Sequence, residues 1–290
     1  MTLALNRVTR PLLRALHRLT APIPFPVAEP AAFALALLAA IALASAILRA
    51  VRRRSFMPVR RWLRGMGWTV CLLATLLALT WLPALCQPTE APPTPPADRL
   101  EWLCGELIGA LNASPLGFPP PDESLRRAPE AAGLPGCAVK AARYPEWMRA
   151  ASVSGLFVPL TGEALADASA PAALIPFTAV HELMHLEGVA DEGAANIAAW
   201  QRCLEAGGPF ADSARLWALR YAMGLLLDAD GDAWQRARDK MKDPLAQVYQ
   251  KSGGEVLPRA ASYGLPRLAP TRGDYAALAG WLAEGAIRLD

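Results

Sequence analysis

Hydrophobic positions along this chain fall into three regimes. Over residues 3–19 leucines recur at helical spacing between Arg7, Arg10, Arg14 and Arg18. That pattern predicts an amphipathic helix lying in a membrane interface. Residues 31–48 and 67–86 then carry no charge, with Trp68 and Trp81 near the ends of the second run. Each run is close to the ~20 residues that cross ~30 Å of hydrocarbon as a helix, and tryptophans at the ends suit the interfacial aromatic belt. Core helices seldom stay uncharged for so long, and a cleaved signal peptide would begin earlier and stand alone. Beyond them the pattern becomes that of a folded domain. Helical periodicity is read over residues 100–112, 176–187, 192–206, 212–227, 232–240 and 274–287. One stretch, 154–161, reads as extended; Gly162 then turns the chain into 163–168, predicting a short hairpin whose Pro159 confines it to a sheet edge.

The expected fold is therefore mostly α with a small β edge hairpin, a zincin-like α+β domain preceded by two transmembrane helices. Its parts are an amphipathic N-terminal segment (1–30), a first transmembrane helix (31–50), a basic cytoplasmic loop (51–66), a second transmembrane helix (67–86), a Pro-rich linker (87–99) and the folded domain (100–290). Composition agrees: of 290 residues 53% are hydrophobic and only 19% charged, against about 25% in an ordinary soluble domain. The net charge of +3 excludes no binding mode by itself. The arginines, however, crowd beside apolar runs instead of forming a basic face on a folded domain, so nucleic acid is not an expected partner and membrane lipid is. Arg49, Arg52, Arg53, Arg54, Arg60, Arg61 and Arg64 lie between the two runs and outweigh the four tail arginines, which places that loop in the cytoplasm and both chain ends outside.

The chemistry concentrates in His181-Glu182-Leu183-Met184-His185. Residues four apart share a helix face, so two imidazoles can grip one Zn²⁺ while Glu182 acts as general base on a zinc-activated water. The chain has three histidines, and both of those in the folded domain sit in this motif. A catalytic zinc needs three protein ligands and an open position. The third must then be a carboxylate or thiolate: Glu187, Asp191, Glu192 and Cys203 are near in sequence, with Gly188 free to turn the chain after the helix. Asp191 fits the spacing His-Glu-x-x-His-x-x-Gly-x-x-Asp. Glu192 opens Glu-x-x-Ala-Asn, with Asn196 one turn on, where it can orient a ligand.

That second pattern resembles the third-ligand helix of gluzincin metallopeptidases, where Glu-x-x-Ala-Asp is usual. More widely, the chain resembles a bacterial family of uncharacterised integral-membrane proteins with an extracytoplasmic HExxH domain. The likeness takes in Pro24-Phe25-Pro26, the basic loop, residues 154–164, Pro176-Phe177-Thr178 and the motif through Asn196. It continues in Ala218-Leu219-Arg220-Tyr221, Tyr249-Gln250-Lys251 and Ser262-Tyr263-Gly264. Two departures are a missing membrane helix ahead of the amphipathic segment and Ala194 where a second acidic residue is usual. The resemblance implies Glu192 as third ligand, Asn196 behind a histidine, and Leu156, Phe157 and Val158 as an edge strand that pairs with extended substrate. Tyr221 is a possible oxyanion stabiliser by the same likeness, as are Arg220 and Tyr263; Tyr249 and Lys251 receive no role.

The expected function is a membrane-anchored zinc-dependent metallopeptidase of the bacterial cytoplasmic membrane. It is multi-pass with an extracytoplasmic C-terminal domain and acts on a peptide or protein near the bilayer. The competing expectation is a binding or signalling protein of the cell envelope that keeps the zinc fold without turnover; retention of Glu182, which a structural zinc site does not require, favours the enzyme. Cys71 and Cys86 belong to the second apolar run. Cys104, Cys137 and Cys203 lie in the folded domain, where one disulfide is feasible outside the cytoplasm.

Overall fold

The computed structural model describes residues 2–85, 95–151, 153–253, 272–285, 287 and 289. Three helices come first: α1 (Thr2–Thr20), α2 (Ala28–Arg53) and α3 (Met57–Leu85). The folded domain follows as α4 (Ala97–Ala113), α5 (Pro121–Ala131), β1 (Val139–Ala141), α6 (Pro145–Ala150), β2 (Gly155–Val158) and β3 (Glu163–Ala166). It then continues through α7 (Ile175–Leu186), α8 (Glu192–Ala206), α9 (Gly208–Ala229), α10 (Gly231–Asp239), α11 (Asp243–Lys251) and α12 (Arg272–Ala283). The chain is thus mostly helical with one small sheet. Residues 86–94, which hold Cys86 and most of the Pro-rich linker, lie outside the described residues, as do Ser262, Tyr263 and Gly264.

The domain is built around α7. All twelve of its residues are buried, against α5, α8, α9 and the sheet, and the polar ones among them, Thr178, His181, Glu182 and His185, are buried with the rest. The sheet runs β1-β3-β2, with β1 parallel and β2 antiparallel to β3. The expected hairpin is therefore present, Phe157 standing opposite Ala164 across it. β2 ends at Val158, one residue before Pro159, and forms the sheet edge. β1 was not anticipated; three residues carry too little periodicity to read.

α2 and α3 are long and apolar enough to span a membrane. Of their most apolar stretches only 6% and 0% is buried, so neither is a core helix, and Phe33, Leu38, Ile41, Leu72 and Leu79 face outward. The Trp62 indole N–H donates to the Ala39 carbonyl across this hairpin at 3.2 Å. The expected loop 51–66 is nearly all helix. α3 begins at Met57 with Pro58 in its first turn, where proline is pre-organised, and Arg60, Arg61 and Arg64 ride on it.

α1 is helical and amphipathic, but its buried face meets protein rather than lipid. It packs on α3, α7 and β3, with Leu13 and His17 buried. Arg14 bonds the Glu187 carboxylate at 2.6 Å and Arg10 the Glu187 carbonyl at 2.9 Å. His17 Nδ1–H donates to the Gly162 carbonyl (2.7 Å) while its Nε2 accepts from the Ala138 N–H (3.0 Å). The helix lies so close that a Cβ on Gly162, at φ +67°, would come within 2.6 Å of the His17 nitrogen. An apolar stripe reads the same in sequence whether lipid or a domain covers it. Glu187, one of the candidates for third ligand in the sequence, is instead the anchor of this docking.

A second clamp ties the first apolar helix to the sheet. The Glu163 carboxylate accepts from the Val27 and Ala28 N–H groups, each at 2.7 Å, and from Lys140 Nζ at 2.7 Å. Lys140 also donates to the Thr20 and Phe25 carbonyls. Burial alone would raise the Glu163 carboxyl, but Lys140 and the two backbone donors hold it below its ordinary value. A buried anion thus caps the start of α2, where the backbone N–H groups want one.

Burial lowers the His17 pKa from 6.5, the Lys140 charge adding to it, against the opposing pull of the Gly162 carbonyl and Glu163. A depressed histidine gives stability that is complete above the unfolded value and fades as pH falls through the folded one. Docking of α1 is therefore expected to loosen below about pH 6.5. Hydrogen exchange in α1, referenced to intrinsic rates at pH 5.5 and 7.5, checks this; equal protection at both would contradict it.

Candidate metal centre

The two histidines project from the last turns of α7. That helix closes with Gly188 at φ +85°: the Val189 N–H returns to the Met184 carbonyl and the Gly188 N–H to the His185 carbonyl, the paired bonds of a glycine-terminated helix. The turn also carries the Val189 carbonyl back to His185, whose Nδ1–H donates to it at 2.6 Å. With Nδ1 so occupied, Nε2 is the ring atom left facing the site.

Asp191 caps α8, its Oδ1 accepting the Ala194 N–H at 2.7 Å, and Glu192 in the first turn faces the histidines. His181 Nε2 lies 3.1 Å from His185 Nε2 and 3.1 Å from Glu192 Oε2; His185 Nε2 lies 3.6 Å from Glu192 Oε1. Zinc bonds of 2.0–2.1 Å in tetrahedral array put neighbouring ligand atoms about 3.3 Å apart. The three side chains, and their soft-to-hard N₂O donor set, fit that ion. Asp191 and Cys203 are not part of the group: Asp191 is occupied as a cap, and Cys203 lies in the hydrophobic core.

The charges are strongly coupled. Burial would raise Glu192, but the imidazoles hold it far below the ordinary carboxylate range. Burial would lower His185, yet the bond to Glu192 and the charge of Glu182 bring it up to about 9. Glu182 is a different case: burial pushes it up to about 7, against the opposing pull of both histidines. It is 4% exposed and roofed by the edge strand, where a Cβ on Gly155 would stand 2.2 Å from its Oε1. That glycine was not singled out in the sequence, although a glycine inside a strand pattern is the ordinary signal of a close approach.

The other predicted residues are distributed around this centre. Asn196 is buried and lines a small cavity with His181, Glu182, Ser154, Thr178 and Trp217. His181 Nδ1 is buried, and among the described residues it has no hydrogen-bond partner; none joins Asn196 to either imidazole. Tyr221 stacks on Trp217 with ring centroids 5.7 Å apart. Burial raises its phenol to about 12, Glu192 contributing, so the hydroxyl keeps its proton. Arg220 lays its guanidinium over the Trp217 ring at 5.3 Å. Leu156, Phe157 and Val158 lie on the edge strand as expected, with Phe157 6.4 Å from the His185 ring. Tyr249 is buried and Lys251 exposed. The feasible disulfide is not formed: Cys104, Cys137 and Cys203 are free thiols, the first and last in the core where burial raises them.

Sequence reasoning also missed the second contact of Trp81. This residue, read as a belt tryptophan at the end of the second apolar run, packs on Phe157 (5.4 Å between centroids) and edge-on to His185 (5.8 Å). No local pattern signals such a contact.

Residues 127–254 match the family described as a protein of unknown function (DUF3810). The matched span contains the whole histidine–glutamate centre, while α1–α3 lie outside it. No curated protein and no solved structure gives a match.

Proposed function

We propose that this chain is a membrane-anchored zinc metallopeptidase. The observation that carries the reading is the convergence of His181 Nε2, His185 Nε2 and the Glu192 carboxylate within 4.8 Å of one another, with a buried Glu182 beside them. A structural zinc site has no use for that fourth group. Zinc held by the three ligands would supply Lewis acidity and a water acidified to near neutrality. Glu182, raised to about 7, is matched to taking a proton and returning it to a leaving amine. Tyr221 offers an O–H to a developing oxyanion. β2, with one side paired to β3, has alternate backbone N–H and C=O groups on its other side to align an extended peptide. The arginines at the far end of the α2–α3 hairpin favour that end inside, which puts the domain outside the cytoplasmic membrane of a bacterium, acting on peptides or proteins near the bilayer.

Metal analysis tests the ligand set. One zinc per chain is expected, lost in His181→Ala and Glu192→Ala. Asp191→Ala removes only a helix cap, costing ~1 kcal/mol of stability, and keeps the metal. Zinc retained by Glu192→Ala but lost from Asp191→Ala would reverse the assignment. The activity itself is tested by comparing protein termini in membranes that carry wild-type or Glu182→Gln protein; identical termini would leave the zinc-fold binding protein as the better reading.

A further inference from the structure

The metal centre is tied to both apolar helices at the same end. Glu163 accepts from the Val27 and Ala28 N–H groups at the start of α2, and Glu163 stands opposite Val158 at the end of the edge strand. At the end of α3, Trp81 packs on Phe157 and His185. The edge strand and the histidines are therefore fastened to the outer end of each helix, with the buried Lys140–Glu163 pair (2.7 Å) stiffening one attachment and the docked α1 bracing the other.

The level of that end in a bilayer follows from α2. Its uncharged run 31–48 begins three residues after Ala28, whose N–H the Glu163 carboxylate caps, so one bilayer surface lies at that end. Trp81 stands at the same end on α3, and the arginines from Arg49 to Arg64 gather at the opposite end of the hairpin. His185, in contact with Trp81, then sits at the surface away from those arginines, and a chain aligned on β2 lies within ~10 Å of hydrocarbon, about three extended residues.

We infer that the substrates are membrane-anchored polypeptides, cut a fixed few residues from the bilayer, with Trp81 and the Glu163 cap as the ruler. This rests on the peptidase reading above and adds to it that distance from the membrane, not side-chain sequence, selects the bond. A soluble protein cannot bring its chain to that level without dipping into the headgroups. An anchored one arrives there already, and lateral diffusion delivers it. Trp81 is a positioning residue in this account: it touches a metal ligand and the edge strand, and it holds their height.

The full chain, reconstituted with zinc in phosphatidylethanolamine–phosphatidylglycerol vesicles, tests the inference. Two forms of one random-sequence peptide library are supplied, one free and one lipid-anchored through glycine–serine spacers of 2, 8 and 20 residues, and cut positions are read by mass spectrometry. Expected cuts fall within about five residues of the lipid anchor for every spacer, inside the spacer itself when it is long, and the free library is cut at least tenfold more slowly. Free peptides cut as fast as anchored ones, or cut positions that move outward with spacer length, would overturn the inference while leaving the peptidase reading intact. No cutting of either library by protein shown to hold zinc would overturn both. Trp81→Ala is expected to scatter the cut positions with zinc content unchanged, and Trp81→Phe to restore them. An undisturbed pattern in Trp81→Ala would remove Trp81 from the ruler.

Discussion

Glu182→Gln is expected to abolish measurable peptide cleavage while zinc content stays within twofold of wild type. The substitution keeps the shape of the side chain and removes only its ability to take a proton. Positioned proton transfer contributes ~10²–10⁴-fold, so a loss of that size is expected in kcat. The fold should tolerate the change. Burial already pushes the carboxyl up to about 7, so a neutral side chain is compatible with this site, and an amide of equal size fits under Gly155. Zinc should remain because Glu182 is not among the converging ligand atoms. Cleavage of a validated substrate at the wild-type rate would deny Glu182 any part in the chemistry. Loss of both zinc and cleavage would make it structural instead.

How much of this was legible in the sequence depends on the range of the interactions involved. The His181–His185 pair follows from helical spacing alone, and α8 starts at Glu192 as read because Asp191 makes a side-chain cap, a local signal. That same cap bond separates Asp191 from Glu192 as ligand; spacing left both open, since either could face the histidines until the helix start was fixed. The helices that went unread, α5, α6 and α11, each begin with a proline in the first turn. In sequence Pro119-Pro120-Pro121, Tyr144-Pro145 and Asp243-Pro244 look like loop. In structure each proline supplies the fixed φ of a first helical turn and gives up an N–H that has no partner there anyway. The docking of α1 and the contacts of Trp81 were illegible for another reason. Amphipathicity says that a face is covered, not by what, and Arg14–Glu187 and His17–Gly162 join residues 173 and 145 positions apart.

Gly155→Ala carries the second large expectation, because one methyl group there meets the Glu182 side chain directly. The added Cβ would stand 2.2 Å from Glu182 Oε1, 2.7 Å from its Cδ and 2.8 Å from its Cγ, all closer than atoms tolerate. Either β2 moves outward or the Glu182 side chain shifts by about an ångström. The carboxylate is the flexible end, so most of the shift should fall on it. Overpacking of this kind costs ~1–3 kcal/mol of stability, and a misplacement of about 1 Å in a reacting group can cost about 10²-fold in rate. The expected variant is therefore folded, zinc-loaded and about a hundredfold slower. Leu156→Ala, one residue along the same edge strand, removes side-chain atoms without adding any toward Glu182, and should lower turnover much less. Zinc content, melting temperature and turnover measured on the two variants together separate the cases. Turnover of Gly155→Ala within twofold of wild type would mean that Glu182 acts from a position the roof of the site does not control. Equal losses in both variants would assign the effect to the strand as a whole rather than to the contact between Gly155 and the carboxylate.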